Sequence, residues 1–115
     1  MAKNFKNDDE MRDIGRSLCY QLEGAKPFEF DDEEIENDMS PALALMDRAL
    51  EIRKHESDKG TSIQVFLTIG GPNVSIWVHP DDSLSVYVSW GLSGRWHGIV
   101  MRDALGFADY AREFS

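Results

Sequence analysis

Three histidines, one cysteine and a dense run of carboxylates are the side chains of this sequence that could act chemically on another molecule. His55, His79 and His97 stand far apart, no two have the spacing of a metal site, and neither HExxH nor CxxC occurs. His97, in Trp96-His97-Gly98 and near Arg102 and Asp103, is the best placed for acid/base work. A histidine on a strand or turn is more often plain polar surface. Cys19 is the lone cysteine, which excludes an internal disulfide and a four-cysteine zinc site. Beside Leu18 on a helical stretch it reads as an inert, half-buried thiol, with no neighbouring cation to activate it. Gly70-Gly71-Pro72 is turn chemistry and not a phosphate loop, since neither helix nor lysine follows. These residues point to no catalytic centre and to no cofactor.

The carboxylates are the stronger signal. From Glu29 to Asp38, seven of ten residues are acidic and none is basic. Glu29, Asp31, Asp32, Glu33, Glu34, Glu36 and Asp38 therefore form the candidate electrostatic contact set. Such a run has a bland reading, a solvated connector held open by self-repulsion. It also suits a contact surface that imitates the charge of nucleic acid toward a basic groove, with steep salt dependence. A divalent-cation site using Asp31, Glu33 and Asp38 is the third reading, but no glycine breaks the loop as an EF-hand requires.

The second candidate surface is aromatic. Phe66, Trp77 and Tyr87 occupy the outward positions of three alternating strands, among Gln64, Thr68, Ser75, Ser85 and Ser89. Closing the first hairpin on Gly70-Gly71-Pro72-Asn73 sets Ile69 opposite Val74 and Phe66 opposite Trp77. A short second turn is expected to continue the row to Tyr87. Cross-strand aromatic pairs stabilise a sheet by roughly 0.2–1 kcal/mol each, so a structural role suffices. The first helix or the Phe28/Phe30 segment is expected either to cover this face or to leave it as a patch for a partner or a self-dimer. Base stacking needs nearby cations, and residues 60–94 contain no lysine or arginine.

The elements that must position these residues follow from periodicity. Residues 7–23 read as a helix capped by Asn7, with Glu10 three residues on and Met11, Ile14, Leu18 and Leu22 as its apolar stripe. Gly15 weakens that helix by up to ~1 kcal/mol. Residues 25–39 are the acidic connector, with Phe28, Phe30 and Ile35 available to pin it. Ser40-Pro41 starts a second helix over 41–57, with Ala42, Leu45, Met46, Ala49, Leu50 and Ile52 on one face. Residues 62–101 form an antiparallel meander: Ile63, Val65, Leu67 and Ile69, then Val74, Ile76 and Val78, then Leu84, Val86, Val88 and Trp90 face one way. Gly91–Gly94 is a turn and Arg95–Met101 a fourth strand. Asp103 caps a last helix over 103–114. The expected fold is α+β, a single domain over 1–115: a three- to four-stranded antiparallel meander with helices on one face, in the order helix-helix-β-β-β-(β)-helix, making a two-layer sandwich. From the second helix onward this order coincides with that of a double-stranded-RNA-binding domain, but the basic residues such a domain sets on phosphates are absent.

Charge and composition narrow the function classes. Residues 1–59 hold 16 of the 21 acidic residues, and the net charge is -9. That charge opposes direct binding to nucleic acid or to an anionic membrane and favours basic partner surfaces. The first residues contain no apolar signal core and no stretch is long enough to span a bilayer, so a cytoplasmic protein is expected. The expected function is a non-enzymatic, acidic protein-binding module. It would act as an inhibitor occluding the basic, nucleic-acid-binding surface of a partner protein, as phage anti-defence accessory proteins do. A toxin-immunity protein and a dimeric secretion-chaperone-like protein share the profile. A homodimer through Phe66, Trp77 and Tyr87 is a further expectation.

Overall fold

The computed structural model describes residues 5–91 and 94–115. Its architecture grows from the alternation that begins at Ile63. Five strands run antiparallel in chain order: β1 Glu51–Ser57, β2 Gly60–Thr68, β3 Asn73–Val78, β4 Leu84–Trp90 and β5 Gly94–Val100. One face gathers Ile63, Val65, Val74, Ile76, Val78, Leu84, Val86, Val88 and Val100, all buried. The described residues also form four helices: α1 Phe5–Leu22, α2 Asp32–Glu36, α3 Pro41–Asp47 and α4 Phe107–Phe114. The helices pack on the apolar face of the sheet, so the fold is a two-layer α+β sandwich with five strands.

Helix α1 lies against β4 and β5 and buries Met11, Leu18, Cys19 and Leu22; Ile14, expected in the same stripe, is 37% exposed. The helix is already formed at Phe5, so the expected start at Asn7 falls within it. Gly15 is buried because the Trp96 ring occupies the space a side chain would need. Trp96 pairs with Val88 and leans along β5 over Gly98, so two glycines shape its slot. Asp103 caps α4 from upstream: its carboxylate accepts the Phe107 and Ala108 N–H groups at 2.8 and 2.9 Å. The helix starts four residues later than its capping side chain because Gly106, at φ 69°, turns the chain first.

The largest difference from expectation lies at 41–57. Helix α3 begins as expected, with Pro41 in the first turn and the Ser40 hydroxyl accepting from Leu43 N–H. It ends at Asp47, and residues 51–57 form β1. The apolar spacing of Leu45, Ala49 and Ile52 fits a helix, but β2 offers an open edge of unpaired backbone groups. Pairing along Glu51↔Phe66 to Ser57↔Gly60 satisfies that edge, with Gly60 at φ 123° closing the hairpin. The resemblance in element order to a double-stranded-RNA-binding domain disappears with this change. The expected turn at 91–94 has residues 92 and 93 outside the described residues, as are Met1 to Asn4 at the start of the chain.

Candidate interaction surfaces

Among the described residues the helices lie on one side of the sheet and none covers the opposite face, so α1 leaves the aromatic residues open. Phe66, Trp77 and Tyr87 do share that face, but not one row. The β2–β3 register shifts between Phe66 and Thr68, where Thr68 and not Ile69 pairs with Val74. Phe66 therefore faces Ser75, and Trp77 faces Gln64. The β3–β4 loop closes with His79 N–H donating to the Ser83 carbonyl at 2.9 Å, which sets Trp77 opposite Ser85 and Tyr87 opposite Ser75. Each ring thus borders a small polar residue, and Ser75 and Ser85 are buried beneath the aromatic overhang.

The rings find other partners. His55, on the strand expected to be helical, stacks on Trp77 with centroids 4.7 Å apart and planes inclined by 28°. The Arg53 guanidinium sits 5.2 Å from the Phe66 centroid, within cation–π range. Tyr87 and His97 lie 6.3 Å apart. Polar atoms on this face are joined to each other: His55 Nε2 to Gln64 Oε1 at 3.0 Å, Gln64 Nε2 donating to Ser75 Oγ at 3.1 Å, and His79 Nε2 to Ser85 Oγ at 2.9 Å. Gln64, Trp77, His79, Ser85, Tyr87 and His97 enclose a shallow depression of 560 Å³. Ile99, facing Ser85 and 69% exposed, extends the apolar patch. Sequence reasoning passed over Ile99, His55 and Arg53. The alternation Arg95, His97, Ile99 carried the signal for the first; the other two were hidden by the helical reading of β1.

Comparison with protein-family models, with curated proteins and with solved structures finds no match to this chain. What it can do must be read from its own surfaces.

The acidic run is more ordered than a self-repelling connector. Asp31 to Glu36 close a capping box: Asp31 Oδ1 accepts from Glu34 N–H at 2.8 Å, and Glu34 Oε1 accepts from Asp31 N–H at 3.0 Å. Three acids in the first turn of α2 also meet the positive end of its backbone dipoles. Glu34 is only 3% exposed and forms a two-pronged ion pair with Arg48 at the end of α3. That guanidinium, by its hydrogen bond, holds the Glu34 carboxyl below the usual range against the opposing effect of burial; the Asp31 N–H adds to it. Arg48 also donates to the Glu29 carbonyl at 2.9 Å and lies over the Phe28 ring, which packs on the core. Phe28 pins the segment as expected, whereas Ile35 is 64% exposed.

Two of the seven acids are thus engaged internally: Asp31 as cap and Glu34 as buried ion-pair partner. Glu29, Asp32, Glu33, Glu36 and Asp38 remain exposed. They belong to the helix layer, while the aromatic residues emerge from the other side of the sheet, so the two sets form separate surfaces. Among the described residues no group of three His, Cys, Asp or Glu side chains is placed to hold a metal ion. Asp31, Glu33 and Asp38 accordingly do not converge. Cys19 is buried, and burial, then the charge of Glu23, push its thiol up to about 11, far from an activated nucleophile. Among the described residues no helix is long and apolar enough to cross a membrane.

Proposed function

We propose that this protein is a non-enzymatic binding module that occludes a basic, nucleic-acid-binding surface of another protein, in the manner of an inhibitor, in the cytoplasm. The observation that carries the reading is the pinned acidic segment. The Arg48–Glu34 pair and the capping box hold Glu29, Asp32, Glu33, Glu36 and Asp38 on one short stretch of fixed backbone. Fixed charges lose little entropy on docking, and a basic groove gains by exchanging its counterions for them. A net charge of -9 adds long-range attraction to such a partner and repels nucleic acid itself.

The experiment is native mass spectrometry of partners captured from the source cells at low salt and again at about 0.5 M salt, where screening is nearly complete beyond about 4 Å. A stoichiometric basic partner that is lost at high salt supports the reading and names the target. Reversing Glu29, Asp32, Glu33 and Glu36 to lysine is expected to weaken binding and flatten its salt dependence. Unchanged affinity in that variant refutes the proposal. Asp31 and Glu34 are left out because their loss disturbs the segment itself.

The uncovered aromatic face favours a second reading, a dimeric secretion-chaperone-like protein that holds an apolar client. Its signature is binding that salt does not weaken. A toxin-immunity role uses the same acidic surface and differs only in the partner captured.

A further inference from the structure

We propose that the uncovered face of the sheet is a self-association surface, on which two copies of this chain pack sheet to sheet through Phe66, Trp77, Tyr87 and Ile99. Three observations commit the face to a second copy. First, its buried polar groups are already paired with one another through the His55–Gln64–Ser75 chain and the His79–Ser85 contact. Gln64, Ser75 and Ser85, the polar residues buried on this face, therefore ask nothing of an occupant, which meets mainly ring and aliphatic surface that the same face of another copy matches.

Second, the charge is distributed to permit it. The chain carries -9, yet the outward positions of the five strands hold one carboxylate, Glu51, which is ion-paired to Arg53. Arg95 is the other charged residue on that face. A basic partner is drawn to α2 on the other layer, whereas here a second acidic copy can approach with the least repulsion.

Third, the size is right. Five strands about 4.8 Å apart and seven residues long at about 3.3 Å each give a face of roughly 450–500 Å² before side-chain relief is counted. Two such faces together reach the ~1,000 Å² at which specific interfaces begin. An aromatic centre with arginine and histidine at its rim is also the usual anatomy of an interface. A dimer built this way leaves both α2 segments facing outward, so each assembly presents two acidic surfaces.

The test is sedimentation equilibrium of the full chain from about 1 µM to about 200 µM, a range that brackets micromolar association. A concentration-dependent dimer is expected. Ile99→Glu places a carboxylate at the patch from an exposed position, and is expected to raise the dimer dissociation constant by at least ~100-fold, with the melting curve unchanged at concentrations where both proteins are monomeric. Tyr87→Lys should do the same. The four-lysine variant of the acidic segment should dimerise normally, which separates this proposal from the binding of a basic partner. A monomer throughout the range overturns it, and so does a dimer that survives both Ile99→Glu and Tyr87→Lys.

Discussion

Replacing Gly15 by alanine sets two effects of known size against each other. Alanine in a helix interior is worth about 1 kcal/mol over glycine, so on a solvent-facing turn the change stabilises. At Gly15 the new methyl would fall on Cε3 and Cζ3 of Trp96 and come within 2.9 Å of Cδ2. The indole cannot retreat into the sheet, because it already lies over Gly98, where even a Cβ would sit 3.0 Å from Cζ2. Either α1 lifts from β4 and β5 or Trp96 leaves its slot. Forcing a group into a packed site costs typically 1–3 kcal/mol, and the rigid ring places this case near the top of that range. The net effect is a loss of about 2 kcal/mol, or a fall in Tm of roughly 10 °C for a domain of this size. Calorimetry of Gly15→Ala, Trp96→Leu and the double variant checks it. Once the ring is gone the alanine should stabilise by about 1 kcal/mol, giving a coupling energy of about 3 kcal/mol. A Gly15→Ala protein that melts higher than the parent would falsify the packing argument, since propensity alone would then be acting.

Two further predictions concern titrating groups. Arg48→Met leaves the buried Glu34 carboxylate without its guanidinium and should cost about 2 kcal/mol at neutral pH, less than for a fully buried pair because Arg48 is partly solvated. The Glu34 carboxyl is held below its ordinary 4.5, so its stabilisation is present above that pH and is lost as pH falls through the lower folded value. Urea titrations should show the gap between parent and Arg48→Met closing under acid, and a gap independent of pH refutes the assignment. Cys19 runs the other way: raised from 9.0 to about 11, it contributes fully below pH 9.0 and its contribution is lost as pH rises toward 11. Up to ~3 kcal/mol of stability should disappear across that window and be spared in Cys19→Ala, with thiol labelling of the native protein slow below it.

Much of the fold was legible because strand alternation is a local signal. Ile63, Val65, Val74, Ile76, Val86 and Val88 declare one buried face whatever the rest of the chain does, and three of the five strands follow from it. Ser40-Pro41 and Asp103 worked as helix-start chemistry because a cap needs only a few neighbouring backbone groups. Residues 51–57 were not legible in the same way. Their one strong apolar position, Ile52, fits a helix with Leu45 and Ala49 as well as a strand, and what decided between them was the open edge of β2, a partner far from view in any local window. That single choice hid His55 and Arg53 from the aromatic face.

The sequence by itself determined the separation of charge from apolar surface: an acidic first half, a neutral meander, and three aromatics on outward strand positions. Composition and period-2 alternation suffice for that, since both are properties of the chain alone. Only the tertiary structure decided the register that sets Trp77 against Gln64 and not Phe66, because Thr68 and not Ile69 pairs with Val74 and the irregularity between Phe66 and Thr68 slides the later pairs by one residue more. It also decided that Glu34 is buried against Arg48 while its neighbours stay exposed, and that the helices cover one face and leave the other open. Those outcomes depend on which distant groups can reach each other, and on the cost of leaving a buried charge or a backbone edge without a partner.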